Sequence, residues 1–310
     1  MMTHDVVGLG CACLDFLGIV PHLPDQDDQV WMSASTQQGG GMVSTALVTL
    51  SRLGVSTAFA GKVGGDMAGR AVKEEFDLFG VDSEHLIVEP GATTPVSMIL
   101  VDESTGQRTI MAGGTTVDMS PSEIPAGMIA DAKYVHLDTT GRQAALAAAE
   151  IADAAGVPVV LDADSLSRPQ DIEDLLRATD YLIASQVFAE ALTGRADPAA
   201  AAKSLAGYGS SVTVVTLGEE GSYTLASGRS FHTPAFPVEV VDTTGAGDVY
   251  HGAYIFGLLQ EWSLEKKAVF ASAVAALSCT RLGGRTGIPD LRCTLDFLRD
   301  RGSEHFNDGD

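Results

Sequence analysis

The sequence predicts an α/β fold in which a mostly parallel sheet carries helices on both faces. Short apolar runs alternate along the chain with helical stretches, a pattern typical of parallel strands joined by helices. Two of the helical stretches, 44–53 and 67–79, stop at a glycine, the usual residue just beyond a helix C-terminus. With 310 residues, of which 45% are hydrophobic and 19% charged, the chain can bury a substantial core. We therefore expect one large domain, alone or with a small appendage.

The predicted elements follow one another in a regular order. The strands are short apolar runs, at 6–9, 58–60, 134–137, 157–161, 181–183 and 212–217. The helices are apolar or alanine-rich, at 44–53, 67–79, 143–155, 198–206 and 249–259. An extended run at 238–241 leads toward the last helix.

Two stretches interrupt this order. Residues 16–38 contain two prolines and an acidic run, and residues 94–111 contain two extended runs, 96–101 and 108–111, around a turn. The second stretch is typical of a β-hairpin. Together they predict a small sheet inserted into the main domain; the alternative is a pair of surface loops.

The composition limits the classes of partner. The chain has 19 basic and 41 acidic side chains, a formal net charge of −22 and a pI near 4.5. This charge argues against nucleic acid and an anionic membrane surface as partners. Four cysteines make no disulfide framework, and the first five residues lack the segments of a signal peptide. We expect a cytoplasmic protein that attracts any anionic substrate through local groups.

The most informative segment is the string Asp-Thr-Thr-Gly-Ala-Gly-Asp at residues 242–248, called the glycine turn below. Gly-Ala-Gly leaves backbone N–H groups unshielded, and at a helix N-terminus such groups favour an anion. Asp248 beside them can accept the proton of an alcohol whose oxygen attacks phosphorus. The alternative is a capped helix in which Asp248 only compensates the helix dipole. The complete string favours the site for phosphoryl transfer.

Further motifs occur in the rest of the chain: Gly39-Gly40-Gly41, then 52–54 and 61–69, and later 215–221. Together with the glycine turn, they resemble the signatures of the ribokinase-like (PfkB) carbohydrate kinases, in the same order and spacing. Two long signatures at opposite ends of a chain are far more specific than a single glycine motif.

The resemblance implies a fold and a division into two units. The fold would be a ribokinase-like three-layer sandwich with a small β-sheet lid. The main nucleotide-binding and catalytic domain would comprise 1–12, 37–92 and 113–310, and the lid over the sugar would comprise 13–36 and 93–112. A homodimer through the lid is expected, because an uncovered sheet is open to association.

The resemblance also implies roles for particular residues. Asp248 would be the general base, and Gly245, Ala246 and Gly247 would supply the anion hole. The residues assigned to the sugar are Asp15, Gly40, Gly41, Ser44 and Asp138, with Arg108 of the hairpin either reaching the substrate or remaining solvated. The residues assigned to ATP are Ser185, Thr216, Gly218, Gly221 and Ser272. Potassium or another monovalent cation would be held by Asp242, Thr244, Ser278, Arg281, Gly283 and Gly287, and Mg²⁺ is expected with ATP.

The sequence departs from the family pattern at two places. Ser44 stands where many relatives have an asparagine, and Ser185 to Phe188 replace an Asn-x-x-Glu motif that helps to place magnesium. Other motifs, including 279–289, are similar to the sulfofructose kinase and ketohexokinase branch. The positions aligned with that branch's sulfonate donors are Gln29, Ala112 and Thr140, which disfavours an anionic sugar. A neutral ketose or related polyol is the leading substrate.

Two other functions stay open at this point. A nucleoside kinase would use the same base and anion hole, with Trp31 of the lid as a platform for the nucleobase. A protein that senses a sugar or a nucleotide without turnover would explain the missing Asn-x-x-Glu motif. The intact glycine turn favours catalysis.

Overall fold

A computed structural model describes residues 3–116, 118–164 and 172–306. Within these residues, nine strands form a large sheet in the order β13-β12-β11-β10-β9-β8-β1-β4-β5. Its strands are β1 (Val6–Leu9), β4 (Thr57–Gly64), β5 (Val81–Glu89), β8 (Tyr134–Asp138), β9 (Val159–Ala163), β10 (Tyr181–Ser185), β11 (Val212–Thr216), β12 (Ser222–Ala226) and β13 (Arg229–Thr233). Neighbouring strands are parallel from β5 through β11, and β12 is antiparallel to both of its neighbours. The predicted α/β class is confirmed.

Helices cover both faces of this sheet, each with its own hydrophobic cluster. One cluster is formed with α1 (Met42–Arg52), α2 (Met67–Phe79), α8 (Ala246–Leu259), α9 (Leu264–Ser278) and α10 (Leu291–Asp300). The other is formed with α3 (Ala126–Ala130), α4 (Arg142–Ala155), α5 (Glu173–Arg177), α6 (Gln186–Thr193) and α7 (Pro198–Ala206). Helix α4 buries a stripe of small alanines, so its backbone packs closely on the sheet.

A separate four-stranded sheet has the order β3-β2-β6-β7. Its strands are β2 (Cys13–Val20), β3 (Ala34–Gly40), β6 (Val96–Asp102) and β7 (Arg108–Gly113). Strands β6 and β7 form the predicted antiparallel hairpin, and β6 runs parallel to β2. Because β2 begins at Cys13, four positions after β1 ends at Leu9, this sheet starts at the carboxyl end of the large sheet.

The extended run 238–241 pairs with no strand among the described residues. Pro237 precedes it, and the amides of Val241 and Asp242 both donate to one carbonyl, that of Cys279. Cys11 lies in the turn before β2, and Cys13 is the first residue of that strand.

Strands β5, β12 and β13 were not predicted, because polar residues interrupt their apolar patterns. By contrast, α2 has the predicted bounds. Asp66 accepts a hydrogen bond from the amide of Gly69 at its start, and Gly80 adopts a left-handed conformation at its end. Among the described residues, no helix combines the length and the apolar character needed to cross a bilayer.

Candidate active site

The glycine turn leads directly into α8 and leaves three backbone amides free. Gly245, at φ 72°, is the residue before the helix. The amide of Ala246, which was assigned to the anion hole, instead donates to the carbonyl of Thr243 (3.3 Å). The amides of Gly245, Gly247 and Asp248 have no partner in residues 3–116, 118–164 and 172–306. A Cβ added at Gly247 would meet no atom within 4 Å, so this side of the turn is open. Free amides at a helix N-terminus form a site for an anion.

Asp248 lies in the first turn of α8 beside these amides. Its carboxyl is half-buried, and burial, followed by the negative charge of Asp164, raises its pKa well above the ordinary value. The positive charges of Arg108 and Arg285 act in the opposite direction. A carboxylate whose proton affinity is increased in this way is suited to general base chemistry.

The carboxylate of Asp242, the first residue of the glycine turn, holds the turn in place through hydrogen bonds. Its Oδ1 accepts hydrogen bonds from the amide (2.8 Å) and hydroxyl (2.7 Å) of Thr244, and its Oδ2 accepts one from the amide of Gly283 (2.8 Å). A Cβ at Gly245 would come within 2.9 Å of the Cα of Gly284, so the two loops touch through glycines. The buried carboxylate therefore couples the turn to the 283–287 loop.

The residues assigned to a monovalent cation come together around Asp242. Gly283 donates to its carboxylate, and a Cβ at Gly287 would lie 2.1 Å from the carbonyl oxygen of Ser278. Carboxylate and carbonyl oxygens are the donors that such a cation prefers, so these residues fit the assignment. Arg281 is exposed, so its side chain is not part of this cluster's buried core.

Asp15 lies on β2 against the end of β3, where Gly39 and Gly40 precede Gly41. It is 7% exposed, and burial raises the pKa of its carboxyl. A Cβ at Gly40 would lie 2.0 Å from its Oδ2, so only glycine allows this close approach. Gly41, at φ 100°, reverses the chain into α1. The structure thus brings Asp15, Gly40 and Gly41 together.

Ser44 is engaged within the protein. It is fully buried on α1; its hydroxyl donates to the carbonyl of Gly40 (2.5 Å) and accepts from Nη2 of Arg285 (2.8 Å). With these two bonds the hydroxyl holds the backbone at Gly40. Ser44 would therefore affect a bound substrate through the position of that backbone.

Arg285 is a residue of the site that the sequence did not identify. Its guanidinium is 1% exposed, and besides Ser44 it reaches Glu75 (2.6 Å) and the carbonyl of Gly40 (3.1 Å). Its backbone amide donates to Gln38 of β3 (3.3 Å). Arg285 therefore connects the loop behind the glycine turn with the strand that carries Gly40. The only signal in the sequence is a basic residue within a glycine-rich loop.

Asp138 closes the end of β8. Its buried carboxylate accepts from the amide (3.0 Å) and hydroxyl of Thr140 and from the amide of Cys11 (3.2 Å), and burial raises its pKa. Asp138 therefore holds the Gly10–Ala12 turn that leads to Asp15. A cavity of about 110 Å³ lies beside this turn; Lys62, which lines it, is ion-paired with Glu123 (3.0 Å).

Arg108, at the start of β7, reaches the glycine turn from the four-stranded sheet. Its Nη1 donates to the hydroxyl of Thr243 (3.2 Å), and both the amide and the hydroxyl of Thr243 donate to the carbonyl of Gly106 (3.3 and 3.1 Å). The hairpin therefore packs against the glycine turn. This contact also places the positive charge of Arg108 near Asp248.

The residues assigned to the nucleotide lie at or near neighbouring strand ends. Ser185 and Thr216 are register partners at the ends of β10 and β11, and Gly218 and Gly221 occupy the turn that follows. Ser185 caps α6 through the amide of Phe188 (3.1 Å). Ser272 of α9 donates to the carbonyl of Pro234, just after β13 (3.2 Å).

The Asn-x-x-Glu positions offer no carboxylate for magnesium. The hydroxyl of Ser185 serves as the helix cap, and Phe188 is fully buried in the hydrophobic cluster below α6. These two positions therefore supply no carboxylate ligand to Mg²⁺.

Comparison with known proteins agrees with this geometry. A model of the pfkB family of carbohydrate kinases matches residues 3–291. A ribokinase from Haemophilus influenzae is 32% identical over 270 residues, which cover 84% of this chain and 87% of that protein. A nucleoside kinase from Methanothermobacter thermautotrophicus is 27% identical over 291 residues, covering 93% of each chain.

Among solved structures, one from Agrobacterium tumefaciens superposes with a TM-score of 0.87 at 27% identity and covers 98% of this chain and 100% of its own. A ribokinase from Arabidopsis thaliana, solved with ribose and ATP, gives 0.83 at 25% identity and covers 96% and 99%. The ribokinase-like fold predicted from the motifs is confirmed. On the extent of the family match and the identity to the Haemophilus protein, the chain belongs to the pfkB family of carbohydrate kinases.

Proposed function

We propose that this enzyme transfers the γ-phosphoryl group of MgATP to a hydroxyl of a neutral ketose or related polyol. The observation that carries the proposal is the half-buried carboxyl of Asp248 beside three unpartnered amides at the start of α8. The relative from Arabidopsis that was solved with ribose and ATP supports ATP and a neutral sugar as the two classes of substrate.

In this reaction, the hydroxyl oxygen of the sugar attacks the γ-phosphorus while its proton passes to Asp248. The bond between that phosphorus and the bridging oxygen breaks, and ADP leaves. The amides of Gly245, Gly247 and Asp248 would stabilise the negative charge on the transferred group. Arg108 would add a positive charge from the four-stranded sheet.

The remaining assigned residues would position the two substrates. Asp15, Gly40 and Gly41 would contact the sugar, Asp138 and Ser44 would hold the backbone around it, and the strand-end group that includes Thr216, Gly218, Gly221, Ser185 and Ser272 would border ATP. The four-stranded sheet would act as a lid that excludes water, which otherwise competes with the sugar hydroxyl. A monovalent cation held by the Asp242 group would offset nearby negative charge.

Neutrality of the sugar follows from the charges near the site. Gln29, Ala112 and Thr140 carry no cation, and Lys62 in the adjacent cavity is already paired with Glu123. A phosphate or sulfonate on the sugar would therefore lack a charged donor from these residues.

Replacement of the general base tests the proposal. Asp248→Asn should lower kcat by a factor on the order of a hundred or more, because the amide cannot take the proton, while the Kd for MgATP stays nearly unchanged. Asp197→Asn is a matched control, since Asp197 caps α7 and asparagine caps equally well. Turnover that survives in Asp248→Asn would show that the base is another group.

A nucleoside kinase is the second candidate, favoured by the similarity to the Methanothermobacter enzyme and by Trp31, which is 83% exposed between β2 and β3. Phosphate transfer should be measured for neutral ketoses, phosphorylated and sulfonated ketoses, and nucleosides. We expect the highest kcat/KM with a neutral ketose or polyol. A preference for nucleosides that is lost in Trp31→Ala would establish the second candidate instead.

We also propose a homodimer through the four-stranded sheet. Large apolar side chains are exposed on this sheet and its β2–β3 connection, including Trp31, Met32, Met98 and Met111, each at least half exposed. An apolar surface of this kind calls for a covering partner, and a second copy provides one. Light scattering at micromolar concentration should give about twice the chain mass of 32.2 kDa.

Met98→Lys should reduce that mass to one chain. Leu78→Lys, which changes an exposed apolar residue on α2 of the main domain, should leave the dimer intact. A wild-type protein that is monomeric under these conditions would contradict the proposal.

A further inference from the structure

Two histidines and one aspartate form a buried cluster between the large sheet and α8. His136 lies on β8, Asp162 on β9 and His251 on α8, one helical turn beyond Asp248. Their exposed fractions are 0%, 1% and 3%. One ligand atom from each residue can be chosen so that all three lie within 4.8 Å of one another. None of the three residues belongs to the glycine turn or to the residues assigned to sugar and ATP.

The polar atoms of this cluster are largely unpartnered. Both carboxylate oxygens of Asp162, Nε2 of His136 and Nδ1 of His251 have no hydrogen-bond partner in the part of the chain that the structure describes. Buried polar atoms are almost always paired, and an unpaired carboxylate is especially costly. Four such atoms at one place indicate a missing cation or donor.

The orientation of His136 identifies what is missing. Its Nδ1 lies 3.1 Å from the carbonyl oxygen of Val160, and a carbonyl can only accept, so Nδ1 carries the proton. Nε2 is therefore a bare lone pair that points into the cluster. A histidine whose second nitrogen donates to a backbone carbonyl is the usual arrangement of a metal ligand.

The charge around Asp162 also calls for a cation. Asp138 is its register partner on the neighbouring strand, and the charges of Asp248 and Asp164 act on it as well. His251 approaches Asp162 at 3.4 Å within the same buried cluster. A divalent ion held between these residues would offset the negative charge of the converging carboxylates.

We propose that His136, Asp162 and His251 bind a divalent transition-metal ion, with Zn²⁺ as the ion that best fits the donors. One nitrogen from each imidazole and both oxygens of Asp162 give four N and O donors, the number and type that zinc prefers. Mg²⁺ does not fit, because it requires octahedral oxygen ligands, so this metal is distinct from the Mg²⁺ of ATP. It would join α8, which carries Asp248, to β8 and β9. Because the site is closed, the metal would be acquired during folding and would exchange slowly.

Metal content after chelation tests the proposal on the full chain. The protein is produced in medium supplemented with zinc or with cobalt, dialysed against EDTA and analysed by mass spectrometry for metals. We expect about one ion per chain to remain, and the cobalt form to show visible absorption typical of a four-coordinate N and O site. Less than about a tenth of an equivalent after dialysis, with no visible absorption, would overturn the proposal, since surface-bound metal is removed.

Two variants sharpen this result. Asp162→Asn keeps the shape of the side chain but removes the chelating charge, and it should abolish both the retained metal and the cobalt absorption. His22→Asn removes an exposed histidine and should leave both unchanged. If the cluster is instead a neutral hydrogen-bonded network, wild type and Asp162→Asn will contain no retained metal. If Asp162→Asn fails to fold, the metal content of the wild-type protein still shows whether the cluster binds a metal ion.

Discussion

Asp248 is surrounded by charges of both signs that act on its protonation. Burial and the charge of Asp164 raise the pKa of its carboxyl, while Arg108 and Arg285 lower it. The base is active only when deprotonated, so kcat/KM must fall as the pH decreases through this raised pKa. The acidic limb of the pH profile therefore reports directly on these neighbours.

Asp164→Asn should move the acidic limb to lower pH. The substitution removes a negative charge that disfavours ionisation of Asp248, so the carboxyl stays deprotonated in more acidic solution. The measurement is kcat/KM against pH for wild type and variant, with Asp197→Asn as a control that leaves the limb in place. An unchanged limb, or one that moves to higher pH, would contradict the assignment of Asp248 as the titrating base.

At the scale of the element, the start of α8 separates a glycine needed for folding from a glycine needed for binding. Gly245 has φ 72° and packs against Gly284, so a side chain there strains the backbone and collides with the neighbouring loop. Gly247 has no atom within 4 Å of a Cβ position. The folded protein would therefore accommodate a methyl group at position 247, whereas a bound phosphate would collide with that methyl group.

Gly247→Ala should therefore keep or raise Tm while it lowers kcat/KM for ATP. Alanine is favoured over glycine inside a helix by roughly 1 kcal/mol, and the methyl group would stand in the proposed anion site. Gly245→Ala is the matched comparison and should lower Tm. Differential scanning fluorimetry and initial rates measure the two effects. Full activity in a folded Gly247→Ala protein would place the transferred phosphate elsewhere.

How far the sequence predicts each element depends on whether its signals are local. Helix α2 was predicted with its true bounds because the two residues that cap it, Asp66 at its start and Gly80 at its end, are next to it in the sequence. The glycine turn was recognised for the same reason. The hydrogen bonds of the run 238–241 could not be predicted, because its partner is a single carbonyl of Cys279, distant in sequence.

The parts of the site that depend on distant contacts could not be predicted. Arg285 meets Ser44 across 241 positions of sequence, and no local pattern indicates that contact. Asp162 and His251 come together only when β9 and α8 pack on each other. The assignments to Asp15 and Gly40 came from a motif resemblance, and the close approach of these two residues became visible only in the fold.

At the scale of the whole molecule, the excess of negative charge opposes both compaction and the approach of ATP. The chain has a net charge of −22, and among the described residues several acidic groups converge on the carboxyl ends of β8 and β9. Like charges repel over about 10 Å at moderate ionic strength. The free amides of α8 and the nearby arginines therefore have to attract the nucleotide locally.

Tm of the protein without ligands should rise when NaCl increases from about 0.02 M to about 0.5 M, because salt screens this repulsion. Thermal unfolding by circular dichroism at constant pH measures the effect. Choline chloride at the same ionic strength is the control for specific cation binding and should give a similar increase. A Tm that is constant or falls would show that the surplus charge is already compensated in the folded protein.

The buried guanidinium of Arg285 has a consequence for how new specificity could arise in this enzyme. It is bonded at one end to Glu75 and at the other to Ser44 and the Gly40 carbonyl, so any longer side chain at position 44 would compete with it for the same space. A longer side chain at position 44 alone would crowd the guanidinium and remove one of its acceptors, while its ion pair with Glu75 would remain. Evolution or engineering of sugar preference at this position is therefore expected to alter positions 44 and 285 together.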